Sequence, residues 1–230
     1  MSGSGSFYPV NLRIAGRRCL VVGGGVVAAR KVESLLFCGG RIVVVSPDAV
    51  EAIHRLAEVD RISWQRRPYR TGDLDGVFLA IAATDRPEVQ RQIADDAASL
   101  PVLLNSVDDP SVCDFQVPSQ LRRGELLITI STGGASPAFS RQIRERLETE
   151  FGREYGAVVD LLGRLRVLVV GMDGGSEGNA ALFRRILTLD LAEMVQREAW
   201  DSLLEQLRGI LPAHLDPTTA VSECRERWAG

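Results

Sequence analysis

Apolar residues in the first half of the chain form short continuous runs that are separated by polar stretches suited to helices. The runs lie at residues 19–22, 42–45, 78–82 and 102–104. Between the first two runs, Val32, Leu35 and Leu36 recur at helical spacing before Gly39 ends the helix. Continuous runs are typical of strands that are buried on both faces, as in a parallel sheet with crossover helices. We therefore predict an α/β domain with a Rossmann-like parallel sheet over residues 1–115.

A second, smaller α+β region is predicted over residues 116–151. Residues 126–130 have the pattern of a strand, and Ser136 and Pro137 suit the N-cap and first position of a following helix. That helix carries an apolar stripe whose members lie four residues apart: Phe139, Ile143, Leu147 and Phe151. Because such a stripe needs an apolar surface to cover it, we expect a homodimer.

A helical C-terminal region is predicted over residues 152–230, with a glycine-rich loop at residues 171–179. Its most apolar segment, residues 161–170, is too short for a membrane span and contains Arg164 and Arg166. We therefore expect a helix or core segment there, and a soluble protein without a membrane partner.

A glycine-rich turn directly follows the first apolar run and carries the strongest chemical signal. Gly23, Gly25 and Ala28 form a G-x-G-x-x-A pattern, in which the first glycine permits a sharp turn and the second permits close approach of a pyrophosphate. The following helix would offer free N–H groups near Val26 and Val27 to the phosphates. Glycine turns after strands are common, so the pattern alone is weak, but its place in a β-α-β unit favours a dinucleotide such as NAD or FAD.

The residues after two other strands are candidates for contact with the same cofactor. Ser46, Pro47 and Asp48 follow the second strand, where an NAD site usually has an acid for the ribose diol, so Ser46 or Asp48 is the candidate for that role. A turn or helix cap is the alternative interpretation of Asp48. Ala83 and Thr84 end a later strand and are small enough for a cofactor to lie against the backbone, although small residues also simply pack.

Asp108 is the candidate catalytic residue. It follows a strand at the carboxyl edge of the predicted sheet, where open α/β folds place ligands, and its carboxylate can accept a proton. The alternative is a turn before Pro110, for which the neighbouring Asp109 is the better candidate.

Composition excludes several other classes of function. The chain has 27 basic and 30 acidic residues without a long block of one charge, so nucleic acid is not an expected partner. The four cysteines are widely spaced and His54 and His214 are isolated, so we predict neither a disulfide framework nor a metal site.

The first six residues are rich in Gly and Ser and lack the features of an export signal. A reducing cytoplasm is the expected location.

Five segments, in this order, resemble the siroheme synthase N-terminal family, which comprises precorrin-2 dehydrogenases, some of which are also sirohydrochlorin ferrochelatases. The segments are residues 21–31 (VVGGGVVAARK), 80–85 (AIAATD), 105–108 (NSVD), 115–119 (FQVPS) and 131–137 (STGGASP). The resemblance extends over about residues 8–165 and implies an NAD-binding domain, a central dimerisation region over residues 116–151 and a helical C-terminal region.

The resemblance also implies roles for individual residues. Asp108 matches the family's catalytic aspartate, and Val26 and Val27 match residues on the nucleotide. The tetrapyrrole substrate is expected near Asn105 and near the loop that follows the predicted strand at residues 126–130. The loop residues are Thr132, Gly133 and Gly134. Thr132 replaces a serine of some members. Arg122 and Arg141 are further candidates for contact with the substrate carboxylates, with a solvated surface as the alternative.

The activity that the resemblance implies is NAD-dependent dehydrogenation of precorrin-2 to sirohydrochlorin in siroheme biosynthesis. Ferrochelation to siroheme, with Fe²⁺ as a second substrate, is left open, and no methyltransferase activity is expected. A non-catalytic NAD-sensing regulatory module is the alternative from another class. Such a module would share the glycine turn but would need neither Asp108 nor the loop at residues 132–137.

Overall fold

The computed structural model describes residues 7–170 and 175–229 and divides into two compact units, Met1–Val117 and Pro118–Gly230. The Gly/Ser-rich start at residues 1–6 lies outside the described residues. The finer division of the second unit at residue 151 stays a prediction.

The first unit is built on a parallel sheet of five strands in the order β3-β2-β1-β4-β5. The strands are β1 (Arg18–Val22), β2 (Arg41–Val45), β3 (Ser63–Gln65), β4 (Leu79–Ala82) and β5 (Leu103–Ser106). The helices are α1 (Val26–Phe37), α2 (Glu51–Glu58) and α3 (Pro87–Ala97), with a short 3₁₀ turn at Pro110–Val112. The predicted Rossmann-like parallel sheet is therefore confirmed.

Helices on both faces of this sheet explain the continuous apolar runs. Cys19 and Val21 of β1 belong to a buried cluster with residues of α1 and α2, such as Val32, whereas Leu20 belongs to a cluster that includes Ile93 of α3. Successive side chains of a strand point to opposite faces, so both sets must be apolar. The strand β3 and the helix α2 were not anticipated. A three-residue strand with one large apolar side chain, Trp64, leaves no periodic signal. The helix α2 carries Ile53 and Leu56 at helical spacing, a pattern that could have identified it.

The second unit begins with an antiparallel hairpin and a helix packed on it. The hairpin consists of β6 (Ser119–Arg123) and β7 (Leu126–Ile130), and the helix is α4 (Pro137–Glu150). The predicted strand and N-cap are confirmed, since the Ser136 hydroxyl accepts a hydrogen bond from the Phe139 N–H at 3.2 Å. The helix ends one residue earlier than the apolar stripe implied, and Phe151 is its C-cap.

Among the described residues of the second unit, five further helices follow α4. They are α5 (Glu154–Val170), α6 (Gly175–Ile186), α7 (Leu191–Gln196), α8 (Trp200–Ile210) and α9 (Thr218–Ala229). Leu161 and Leu165 of α5 are fully buried together with Leu203 and Leu207 of α8. Over the described residues, no helix combines the length and apolar character that crossing a membrane would require.

The predicted glycine-rich loop at residues 171–179 is wrong over residues 175–179, which form the first turns of α6. Residues 171–174 lie outside the described residues. Ile186 at the end of α6 is fully buried, and Leu182 and Phe183 pack against the same core. This packing offsets the cost of about 1 kcal/mol for a glycine inside a helix, which here applies to Gly178.

Candidate functional site

The three consecutive glycines after β1 have different structural roles. Gly23 has a φ of +124°, and a Cβ there would lie 2.1 Å from the carbonyl oxygen of Ala83. A Cβ on Gly24 would lie 2.0 Å from the carbonyl oxygen of Asp48. Gly25 has an ordinary φ of −78°, and no heavy atom of the described residues lies within 4 Å of a Cβ built on it. The fold therefore requires Gly23 and Gly24, whereas the space beside Gly25 is open to a ligand.

The helix α1 begins directly after this turn with unsatisfied N–H groups. All of α1 lies within the described residues; its N-cap Gly25 has no side chain to accept from them, and its first turn holds no acidic residue. Val26 is 66% exposed. The first-turn N–H groups and the positive end of the helix dipole are consequently available to an anion such as a pyrophosphate.

A cavity of about 530 Å³ lies at the carboxyl edge of the sheet, within the size range of small-molecule and cofactor sites. It brings together every residue that the sequence assigned to the cofactor, and Asp108 as well. These lining residues are Gly23, Gly25, Val26, Val27, Ser46, Pro47, Asp48, Ala83, Thr84 and Asp108. Their individual roles stay predictions.

The cavity also contains lining residues that the sequence analysis missed. Asp85, Arg86 and Val107 adjoin predicted residues, so strand ends could have identified them. Pro68 and Tyr69 come from the connection after β3, a strand without a sequence signal. Burial and a hydrogen bond to Asp96 raise the pKa of Tyr69, so its hydroxyl stays protonated at neutral pH and donates to Asp96 Oδ2 at 2.8 Å.

Ser46 and Asp48 differ in their availability to a ribose. Ser46 is buried, and its hydroxyl donates to the Asp48 carbonyl at 2.6 Å while its own carbonyl accepts from the Trp64 indole at 3.0 Å. Asp48 is exposed at the cavity. It is not a helix cap, because α2 has Val50 as its N-cap. Asp48 is therefore the better placed of the two candidates for the diol.

The neighbouring aspartates Asp108 and Asp109 have separate surroundings. Asp109 Oδ1 accepts from the Ser111 N–H at 3.0 Å and from the Ser111 hydroxyl, and this hydroxyl in particular lowers the pKa of Asp109. Asp109 thus caps the 3₁₀ turn, as expected of the turn former. Asp108 is exposed and lines the cavity, and its Oδ2 accepts from Gln90 Nε2 at 2.7 Å.

Asn105 is placed differently from the other candidates. It is buried, and its side-chain amide donates to the Phe115 carbonyl at 3.0 Å. Asn105 does not belong to the described residues that line the cavity. This bond gives Asn105 a role in holding the segment after β5, and its contact with substrate stays a prediction.

The remaining candidates belong to the second unit: Thr132, Gly133 and Gly134 lie in the loop between β7 and α4, and Arg141 lies in α4 itself. Gly133 and Gly134 are exposed and have φ values of +62° and +86°, which explains why glycine occupies both positions. Thr132 Oγ1 accepts from the Ser136 N–H and from the Ser140 hydroxyl, so it braces the start of α4. Arg141 forms an exposed ion pair with Glu145, Nε to Oε1 at 2.8 Å.

Within residues 7–170 and 175–229, no group of three or more His, Cys, Asp or Glu side chains is arranged to hold a metal. His54 packs edge-on against Trp64, with ring centroids 4.5 Å apart. All four cysteines are free thiols.

Comparisons with known proteins agree with this architecture. Residues 10–119 match the family model described as putative NAD(P)-binding, and residues 123–150 match the model described as sirohaem biosynthesis protein central. The siroheme synthase of Thioalkalivibrio sulfidiphilus is 33% identical over 94% of this chain and 44% of its own length. That of Methylobacillus flagellatus is 37% identical over 70% of this chain and 34% of its own length. The chain thus spans less than half the length of these curated relatives.

A solved structure is similar over nearly the whole chain. The protein described as SirC, precorrin-2 dehydrogenase, has a TM-score of 0.68 and 26% sequence identity, and the match covers 96% of this chain and 100% of that one. Together with the two family models, this likeness shows that the chain belongs to the siroheme synthase N-terminal family.

Proposed function

We propose that this chain is an NAD-dependent precorrin-2 dehydrogenase, which produces sirohydrochlorin in siroheme biosynthesis. One observation carries the proposal: Asp108 and the turn at Gly25 line the same cavity at the carboxyl edge of the sheet. The similarity to SirC, precorrin-2 dehydrogenase, and to siroheme synthases supports the same reaction. A regulatory NAD-sensing module is not favoured, because these relatives are biosynthetic enzymes by name.

The residues around the glycine turn fit a dinucleotide. The open space beside Gly25 admits a pyrophosphate, and the first-turn N–H groups of α1 at Val26 and Val27 would bind its oxygens. Asp48 would accept hydrogen bonds from the adenosine ribose. The cofactor would lie against the backbone at Ala83 and Thr84. When bound, NAD⁺ supplies the hydride acceptor.

Asp108 would hold the proton that leaves during dehydrogenation. Removal of two hydrogens from precorrin-2 releases one hydride, which the cofactor accepts, and one proton, which needs a base. The Gln90 amide donates a hydrogen bond to Oδ2 of Asp108, so we assign Oδ1 as the proton acceptor. The exposed position of Asp108 gives a large substrate access to it.

The second unit would provide the dimer interface and contribute to binding of the tetrapyrrole. In α4, Phe139 is 53% exposed and Ile143 and Leu147 are only half-buried, so their stripe is available to a second copy of the chain. The N–H groups at Gly133 and Gly134 would bind substrate carboxylates. We place the enzyme in the cytoplasm, and we propose that any insertion of Fe²⁺ is secondary and uses the same cleft.

Anaerobic incubation of the chain with precorrin-2 and NAD⁺, followed spectroscopically, tests the proposed function. We expect NADH and sirohydrochlorin to form in equal amounts, with the NADP⁺ reaction as a comparison. Binding of NAD⁺ without turnover of precorrin-2 would contradict the enzyme and favour the regulatory module.

A further inference from the structure

Gln90 of α3 connects three segments at the edge of the cavity. Its Nε2 donates to the Asp108 carboxylate at 2.7 Å and to the Thr84 carbonyl at 2.6 Å. Its Oε1 accepts from the Ser106 hydroxyl at 3.2 Å. Gln90 therefore joins the end of β4, the end of β5 and the loop that carries Asp108.

These partners determine which way the Gln90 amide faces. A backbone carbonyl and a carboxylate only accept hydrogen bonds, so both N–H bonds of Nε2 must point towards Thr84 and Asp108. The opposite orientation would set Oε1 against two other acceptors. The hydroxyl of Ser106, which is 5% exposed, satisfies Oε1 in the observed orientation.

Asp108 needs such a partner because its own surroundings restrain it little. It is exposed and lies two residues beyond the end of β5, so its side chain would otherwise sample several rotamers. A hydrogen bond to a charged carboxylate is about twice as strong as a neutral one. Gln90 itself is half-buried on a helix, which makes it the more rigid partner.

We infer that Gln90 is a positioning residue for the reaction: it holds Asp108 Oδ2 so that Oδ1 faces the substrate proton. The inference rests on the proposed function and extends it to a residue that lies behind the reacting groups. Thr84 and Asp108 line the cavity, whereas Gln90 is not one of the described residues that line it. Gln90 should therefore affect turnover through Asp108 and affect cofactor binding little.

The variant Gln90→Met tests this role, because methionine keeps the length of the side chain and removes both donors. Gln92→Met is the matched control: it lies on the same helix, is exposed, and donates to Thr71 Oγ1 at 3.2 Å away from the cavity. We expect Gln90→Met to lower kcat by roughly 10- to 100-fold. The Kd for NAD⁺ should change less than about twofold, the range within which independent sites leave each other unaffected, and the control should match the wild type.

A double variant shows whether Gln90 acts through Asp108. In an Asp108→Asn background, Gln90→Met should reduce the residual rate by less than about twofold, because the group that it positions has already been removed. A further reduction equal to that seen in the wild type would overturn the inference. A wild-type kcat in Gln90→Met beside an inactive Asp108→Asn would also overturn it, while leaving the proposed function intact.

Side-chain amide NMR tests the hydrogen bond independently of activity. The Gln90 amide signals are identified by their loss in Gln90→Met, and they should shift in Asp108→Asn but not in Gln92→Met. Unshifted Gln90 signals in Asp108→Asn would overturn the inference. A wild-type chain that leaves precorrin-2 and NAD⁺ unchanged would instead overturn the proposed function, and the positioning role with it.

Discussion

Gly23 and Ala83 lie against each other across the neighbouring strands β1 and β4, so closely that a Cβ on Gly23 would stand 2.1 Å from the Ala83 carbonyl oxygen. This contact brings the glycine turn after β1 against the residues that follow β4. The connections from β1 and β4 lead to opposite sides of the sheet order, so the crevice between them is the topological switch point where such folds bind ligands.

Replacement of Gly25 should separate cofactor binding from folding. Gly25→Val should keep the unfolding temperature but abolish NAD⁺ binding in calorimetry. A Cβ at this position lies more than 4 Å from the surrounding described residues, and the branched side chain would fill the space that the pyrophosphate needs. Gly163→Val, at an open exposed site in α5, is the control and should bind NAD⁺ normally. Gly23→Ala should instead destabilise the fold by more than about 2 kcal/mol, through its clash and its φ of +124°. Unchanged NAD⁺ affinity in Gly25→Val would mean that the turn is not the phosphate site.

Asp108→Asn should preserve the fold and NAD⁺ affinity and lower kcat by roughly 10²- to 10⁴-fold, since it removes a proton acceptor with little change in shape. Steady-state kinetics with precorrin-2 measures this. Asp109→Asn is the neighbouring control: it alters the cap of the 3₁₀ turn and should reduce kcat far less. A near wild-type rate in Asp108→Asn would refute the role of base.

Leu147→Glu should dissociate the proposed homodimer or cause aggregation, because it places a charge in the apolar stripe of α4, and burying an unpaired charge costs several kcal/mol. Gln142→Glu, at an exposed position of the same helix, should leave the dimer unchanged. Light scattering at micromolar concentration distinguishes the two. A monomeric wild type would contradict the proposed dimer.

Metal binding without tetrapyrrole should be weak. The described residues contain no cluster of three ligands, and delivery of Fe²⁺ to a macrocycle requires that the metal be released. Calorimetry with Fe²⁺ or Co²⁺ should show no tight stoichiometric site, with or without NAD⁺. If the chain inserts metal, Asp108→Ala should lose that activity together with dehydrogenation; tight binding by the substrate-free chain would contradict a shared cleft.

The cysteines should react with an alkylating reagent in an order that follows burial. Burial raises the pKa of both the Cys19 and Cys224 thiols to about 11, so at pH 8 both remain protonated and poorly nucleophilic. Cys38 is exposed and should be labelled first. Mass spectrometry of briefly alkylated native protein measures this order, and early labelling of Cys224 would show that the second unit opens readily.

The sequence was enough to predict those residues of the candidate site that directly follow a strand. Ser46, Thr84 and Asp108 each lie within two residues of the end of a parallel strand, and parallel strands all end at one edge of their sheet. Their convergence on one cavity needed no knowledge of side-chain contacts. The apolar runs were equally informative, because burial on both faces leaves a continuous signal in the sequence.

Contacts between distant segments decided the rest. Gly24 is required by the Asp48 carbonyl, Gln90 gains its role from a bond to Asp108 eighteen residues away, and Tyr69 reaches the cavity from the connection after β3. Glycines at the start of α6 are helical because Ile186 is buried in the core of the second unit. A sequence pattern records local propensity and periodicity, whereas these positions depend on atoms that only the folded chain brings within a few ångströms of one another.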